Sequence, residues 1–174
     1  MRPILILLLS LCMAPLWAGP LEDGVRSFER GEYRQALQNW LPLAREGNAD
    51  AQFNIGLMYA QGKGVDKDER QALAFYEQAA KQGHAEAQFN LGEAYFNGRG
   101  VIRSELSAIK WWTRAAEQGF APARFNLGVV YLYGYSVAVD RKRGLSLISS
   151  AADAGYAPAR DALNRIERED LFKE

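Results

Sequence analysis

Cysteine and histidine are almost absent from this chain, and their scarcity excludes several kinds of site. Its 174 residues include one cysteine, Cys12, and one histidine, His84. A single cysteine cannot form an internal disulfide, and a lone histidine without cysteine partners cannot complete the usual zinc ligand set. The pairs Gly62-Lys63-Gly64 and Gly98-Arg99-Gly100 lack phosphate-loop spacing. We therefore predict no metal site and no cofactor.

An excess of charge of either sign is also lacking. Lysine and arginine total 21, and aspartate and glutamate also total 21. Nucleic acids and anionic membranes attract proteins with a basic surplus. The overall balance therefore gives no indication of either partner, and we predict that the chain does not bind nucleic acid.

The chain has one long apolar run, at its start. It follows Met1-Arg2, extends from Ile4 to Trp17 with few interruptions, and ends at the small residue Ala18. Its length of about 15 residues is short of the roughly 20 that span a bilayer. This layout predicts a signal peptide over residues 1–18 and an exported, periplasmic or secreted protein without a membrane segment after its removal. A retained anchor is one alternative. A lipoprotein modified at Cys12 is another, although Leu11 is larger than the residue such signals prefer.

Beyond the apolar run, one block of sequence occurs three times at a spacing of 36 residues. Ala51–Gly56 returns as Ala87–Gly92 and again as Ala123–Gly128. A fixed period of this size indicates a stacked array of small units. In-register glycines suit helix C-termini, and in-register Asp68, Ser104 and Asp140 suit helix N-caps. Each unit is therefore predicted to contain two helices, and in the first full unit these cover about 49–61 and 69–82.

Glycine recurs in the middle of the first helix of each unit, at Gly56, Gly92 and Gly128. Each such glycine destabilises a helix by about 1 kcal/mol relative to alanine, so a common compensation is expected. We predict close approach of the second helix through its small alanines (Ala79, Ala115 and Ala151). The aromatic residues of the first helix, Phe53 with its equivalents and the row Tyr59, Tyr95 and Tyr131, should then fill the space between units.

These recurring residues resemble the Sel-one-like repeat family, a relative of the tetratricopeptide repeat. The family pattern A-x-F-N-L-G-x-x-Y-x-x-G-x-G-V, followed by an alanine-rich helix, is met almost fully by 51–80 and 87–116. The third unit departs from it, since Ser136 replaces the second loop glycine. The resemblance implies an all-α, right-handed α-solenoid that serves as an adaptor or scaffold for protein complexes.

The period also divides the chain. Residues 19–48 are predicted to form an N-terminal partial unit closer to a tetratricopeptide repeat. Residues 49–84, 85–120 and 121–156 are predicted to be three full repeats, and 157–174 a charged C-terminal capping helix. Stacked arrays need such polar ends to stay in solution.

By resemblance, the first helix of each unit lines the inner surface of the solenoid, where a protein or peptide partner would bind. The residues predicted to line this groove are Asn54, Met58, Gln61, Asn90, Glu93, Asn97, Asn126 and Tyr133. An asparagine carboxamide can both donate to and accept from a peptide backbone. Alternatively, each asparagine bonds to the backbone of a neighbouring helix and holds the units in register. Arg124 could pair with a carboxylate of a ligand or form a local ion pair.

The predicted function is non-enzymatic protein binding, with two alternatives from other classes. The first is regulation of an enzyme of the cell envelope. The second is a β-lactam-reactive hydrolase, because Ser107-Ala108-Ile109-Lys110 matches the S-x-x-K motif. That motif lacks the K-T-G and S-D-N sequences that accompany it in penicillin-recognising enzymes.

Overall fold

A computed structural model describes residues 19–171, and these residues form helices joined by short turns and loops without any strand. In chain order the helices are α1 (Pro20–Glu29), α2 (Tyr33–Arg45), α3 (Ala49–Gln61), α4 (Glu69–Lys81), α5 (Ala85–Asn97), α6 (Glu105–Glu117), α7 (Ala121–Tyr133), α8 (Arg141–Asp153) and α9 (Ala157–Leu171). The predicted signal peptide, 1–18, and the last three residues of the predicted cap lie outside the described part. No helix within 19–171 combines the length and apolar character that crossing a membrane requires.

In the first full unit α3 has the predicted bounds and α4 ends one residue before the predicted end, and local chemistry explains the positions of the helix ends. The side chain of Asp68 accepts hydrogen bonds from the first-turn backbone of α4, and Ser104 and Asp140 cap α6 and α8 in the same way. Gly62 ends α3 in the left-handed conformation, with φ of +68°. Gly98 and Gly134 repeat this ending for α5 and α7.

The helices stack so that each packs mainly on the ones before and after it in the chain, which makes the fold an all-α solenoid. We call the odd-numbered helices A helices and the even-numbered ones B helices. An A helix lies between its own B helix and that of the preceding unit. Met58 on α3 thus packs in one cluster with Ala36 and Trp40 of α2. Val130 on α7 packs likewise with Trp112 of α6.

The glycines inside the A helices are required by large side chains rather than by the predicted alanines. A Cβ atom added at Gly56 would lie 2.7 Å from the ring of Tyr76, and one at Gly92 would lie 2.4 Å from Trp112. In the third unit the corresponding neighbour of Gly128 is Ile148. The compensation for the glycines is therefore the burial of these B-helix side chains against the bare helix backbone.

Buried glutamines join successive units. The amide of Gln52 donates to the carbonyl of Ala44 (3.0 Å) and accepts from Gln82 (2.7 Å). Gln88 makes the equivalent bonds to Ala80 and Gln118. In the third unit the position is occupied by Arg124, whose guanidinium donates to the carbonyl of Ala116 and to Ser150. Arg124 is therefore a structural link between units, and within residues 19–171 its guanidinium bonds to a carbonyl and a hydroxyl rather than to a carboxylate.

Aromatic contacts also join the units, with one exception to the prediction. Phe53 stacks on His84, the last residue of its unit and the N-cap of α5 in the next one, with ring centroids 4.5 Å apart. The pairs Phe89–Phe120 and Phe125–Tyr156 repeat this contact. Tyr59, in contrast, stacks on Phe75 of its own B helix, and Tyr131 lies under Arg143 of its own unit. The phenylalanine row therefore fills the space between units as predicted, whereas these two tyrosines stack within their own units.

Candidate partner-binding groove

Three depressions lie in a row where successive A helices meet, and we call this row the groove. The first, of about 240 Å³, is formed by α3, α4 and α5. The second, of about 170 Å³, is formed by α5, α6 and α7, and the third, of about 200 Å³, by α7, α8 and α9. Equivalent positions of successive units line the three depressions, so the depressions have the same arrangement of helices but different side chains.

The first depression is polar. Gln61, Glu69 and Arg99 line it, together with Asn90 and the buried Tyr76. Burial raises the pKa of Tyr76 to about 12, and its side-chain hydrogen bond with Asn90 acts in the opposite direction. The phenol is therefore neutral at ordinary pH and can hold the amide of Asn90 in one orientation.

The second depression is organised around Glu93. The carboxylate of Glu93 accepts a hydrogen bond of 2.8 Å from the amide of Asn126 on the next A helix, and Arg99 lies 3.6 Å away. Asn97 donates to the backbone carbonyl of Glu93. The remaining lining is mainly aromatic and aliphatic, and includes Phe96, Trp112, Val129 and Tyr135. This depression therefore offers an apolar floor beside a fixed polar network.

Most of the side chains that line the third depression are apolar. Phe125, Val129, Leu132, Ile148 and Ile166 line it with Ala162, Tyr133 and Arg165. The side chain of Tyr133 is 63% exposed and stands beside Tyr135. The first depression is therefore the most polar of the three and the second the most apolar, while the third exposes polar and apolar surface in about equal amounts.

Seven of the eight predicted groove residues lie at the surface of the A helices. Asn54, Asn90, Glu93 and Asn126 are half-buried, whereas Gln61, Asn97 and Tyr133 are exposed. Asn54 alone among these seven lines none of the three depressions. The amides of Asn90 and Asn126 bond to side chains of neighbouring helices, so the predicted bond to a neighbouring backbone is not observed.

The prediction that Met58 lines the groove is wrong. Its side chain is 0% exposed and belongs to the core cluster shared with α2. The reason is that an A helix is covered from two sides, by its own B helix and by the preceding one. The exposed stripe is therefore narrower than one face of an isolated helix, and on α3 the residues that line the first depression are Leu57, Ala60 and Gln61.

The repeats are identified by comparison with known families. The Sel1 repeat model matches the chain three times, over residues 49–84, 85–120 and 121–156. The chain belongs to the Sel1 repeat family. No curated protein matches it in sequence.

Solved structures of other Sel1 repeat proteins share the fold. A Sel1 repeat protein from Oxalobacter formigenes is 34% identical, with a TM-score of 0.77 over 82% of this chain and 57% of that one. The c5321 protein, a protective antigen of uropathogenic Escherichia coli with the same repeat fold, is 27% identical with a TM-score of 0.60, over 87% and 41%. The chain thus spans about half the length of these two relatives. Immunity protein Pa5087 from Pseudomonas aeruginosa, 23% identical with a TM-score of 0.54 over 78% and 55%, shares the fold.

Several groove residues of this Sel1 protein were not found from sequence. Tyr76 and Trp112 form parts of the floor from the B helices, and Arg165 and Ile166 close the last depression from α9. Only for Tyr135 did the sequence contain an indication of a groove residue, because an aromatic residue replaces the basic residues Lys63 and Arg99 of the other units at this position. The others depend on how helices of different units meet, which the repeat pattern alone does not specify.

The serine of the S-x-x-K match lies in the first turn of α6, away from the groove. The hydroxyl of Ser107 accepts a hydrogen bond of 2.8 Å from Ser104, whose oxygen also caps the backbone of Ser107. A nucleophilic serine needs a base at hydrogen-bond distance, and the partner here is another hydroxyl. The arrangement corresponds to a helix cap.

Proposed function

We propose that this Sel1 repeat protein is a non-enzymatic binding module that holds an extended segment of a partner protein in the groove. Sel1 repeats typically mediate protein–protein interactions. The observation that carries the proposal is the row of three depressions, built on a constant frame but lined differently in each unit. The repeated helices set the spacing between contacts with the partner, and the side chains that differ between depressions select which side chains of the partner bind.

The polar groups of the groove suit a peptide backbone. Asn126 donates one amide hydrogen to Glu93, which leaves its other hydrogen and its carbonyl oxygen for a ligand. The bond also fixes the direction of the amide, so little side-chain entropy is lost on binding. The apolar linings of the second and third depressions then suit large apolar side chains of the same segment.

The test uses a random peptide library displayed on phage, selected on the immobilised protein. The variant carries alanine at Gln61, Asn97 and Tyr133, which are all exposed and occupy the same position in three units. Because these side chains support no core contact, we expect unchanged melting but loss of binding by the selected peptides. Alanine at exposed positions of the B helices (Gln71, Lys110 and Ser146) provides the matched control and should leave binding unchanged.

Two results would contradict the proposal. Either no peptide is enriched above an unrelated helical protein, or the enriched peptides bind the groove variant as tightly as the unaltered protein. A capture experiment from an envelope fraction then identifies the physiological partner. If the captured protein is an enzyme whose rate changes on binding, the module acts as a regulator rather than as a scaffold.

Export of the protein is part of the same proposal. It is supported by the charged start, the apolar run and the small residue Ala18 at the end of 1–18. Expression in a bacterium with a general secretion system should yield a periplasmic or secreted product that begins at Gly19, as measured by intact-mass spectrometry. Recovery of the full-length chain from the cytoplasm would contradict it.

A further inference from the structure

Large hydrophobic side chains are unusually exposed on the loops of the second and third full units. Of the six such side chains in the described residues, five lie between residues 102 and 139. Three are aliphatic and project strongly: Ile102 is 89% exposed, Leu106 65% and Val139 64%. Single exposed apolar residues are ordinary, whereas several on one edge indicate an interaction surface.

These three side chains lie on one edge of the solenoid, where each A helix passes through a loop into its B helix. The hydroxyl of Ser136 in the third loop donates to Glu105 in the first turn of α6, at 2.7 Å. Val137 of the same loop packs against the cluster around Ala108 of α6. The third loop therefore rests on the start of α6, beside Leu106.

Basic residues outnumber acidic ones in the two loops that carry these side chains. The segments 98–106 and 134–142, which are equivalent to each other, contain four basic residues (Arg99, Arg103, Arg141 and Lys142) and two acidic ones. Glu105 is bound by Ser136 and Arg103, which hold the pKa of its carboxyl below the usual value, and Asp140 caps α8. Arg103 is thus paired with Glu105, and Arg99 lies 3.6 Å from Glu93, whereas Lys142 is exposed in the first turn of α8. The edge thus carries a local positive surplus that the balanced total charge of the chain conceals.

The first full unit lacks both features. Asp66 and Arg70 occupy the positions of Ile102 and Leu106, and Lys67 occupies that of Val139. Its loop segment 62–70 contains three basic and three acidic residues and no large exposed hydrophobic side chain. The surface is therefore a property of two particular units and not a requirement of the repeat.

We propose that this edge, defined by Ile102, Leu106, Val139 and the cations around them, docks on an anionic membrane surface. Projecting aliphatic side chains can enter the boundary between lipid headgroups and acyl chains, while lysine and arginine remain among the headgroup phosphates. A protein partner would favour well-packed pockets lined by aromatic anchors, which are found in the groove. The edge offers protruding aliphatic groups and positive charge, which matches a bilayer.

The experiment places an environment-sensitive nitrobenzoxadiazole fluorophore on a single cysteine in the full chain. Cys12 is replaced by serine, and the label is attached at Ile102→Cys or, as the matched control, at Val25→Cys, an exposed apolar position on α1. Each protein is titrated with phosphatidylglycerol-rich vesicles and with pure phosphatidylcholine vesicles. Because the readout is local, attachment of the vesicles elsewhere on the chain does not imitate entry of the edge into the lipid.

We expect a blue shift and a rise in emission from the label at position 102 with the anionic vesicles only, and no change at position 25. Lys142→Gln should raise the lipid concentration at half-maximal response about fivefold, since each cation near an anionic surface contributes about that factor. Leu106→Ser with Val139→Ser should raise it by at least about tenfold. Circular dichroism checks that each variant keeps its helices.

Three outcomes overturn the proposal: no response at position 102 to anionic vesicles, an equal response to zwitterionic vesicles, or an equal response from the label at position 25. A response at position 102 to a protein extract but not to lipid also overturns it, and assigns the edge to a protein partner.

Discussion

Replacement of Gly92 by alanine tests how the repeats are held together. The added Cβ atom would lie 2.4 Å from the indole of Trp112, more than 1 Å inside the ordinary carbon–carbon contact of about 3.5–4.0 Å. The ring cannot retreat easily, because it is buried and packed against Phe96 at 5.3 Å. Overpacking costs about 1–3 kcal/mol, and a contact this close belongs at the upper end. The alanine also stabilises the helix by about 1 kcal/mol.

The expected net loss is therefore about 2 kcal/mol, which lowers the urea midpoint by about 1 M at an ordinary m-value of about 2 kcal/mol/M. The assay is urea unfolding followed by circular dichroism. In a Trp112→Leu background, where the side chain is smaller, the loss should shrink by at least about 1 kcal/mol.

Gly83→Ala supplies the matched control. Gly83 has φ of +96° and nothing within 4 Å of an added Cβ, so only backbone strain results, and that strain should not depend on residue 112. A stability of Gly92→Ala equal to or above that of the unaltered protein would refute the steric argument. An undiminished loss in the Trp112→Leu background would refute it equally.

Two further predictions concern buried polar groups. Gln88→Ala removes one of the two hydrogen bonds of the Ala80 carbonyl and one of the two of the Gln118 amide, which keep Gly83 and the Arg114 carbonyl as partners. It should cost about 1 kcal/mol in urea unfolding, whereas Gln118→Ala, at an exposed site, should cost less; equal losses would contradict the assignment. Tyr76 is expected to make stability fall at high pH. The phenol of Tyr76 loses its proton near pH 10.0 in the unfolded chain and near pH 12 in the folded chain. The stabilising effect of the neutral phenol is therefore complete below pH 10.0, and the free energy of unfolding falls by about 2–3 kcal/mol as the pH rises from 10.0 to about 12. In Tyr76→Phe, which also lacks the bond to Asn90, the free energy of unfolding should fall less between about pH 9 and about pH 11 than in the unaltered protein. An equal fall in the two proteins would contradict this prediction.

The fold could be predicted from sequence because its determinants are local and recur. The N-caps, the left-handed glycines and the aromatic positions specify the helix ends of each unit independently of the others, and α3 begins and ends at the predicted residues. The N-terminal unit shows where this fails. Gly24 lies against Trp40 as Gly92 lies against Trp112, but its shorter loop breaks the period, so the glycine was not recognised.

The groove could be predicted only in part, because its chemistry depends on how two units meet. The bond between Asn126 and Glu93 links residues 33 positions apart, and its formation depends on the offset of one A helix against the next. The burial of Met58 has the same origin, since the covering helix belongs to the preceding unit. A pattern within one unit identifies which positions vary, but it does not specify which of them the neighbouring unit covers.

The stacking of each helix mainly on its neighbours in the chain has a consequence for how such proteins can change in length. Duplication of one 36-residue copy would add two helices and one depression of the same construction, while the contacts within each older unit stay intact. Evolution can in this way match the reach of the array to a longer ligand without redesigning the original units.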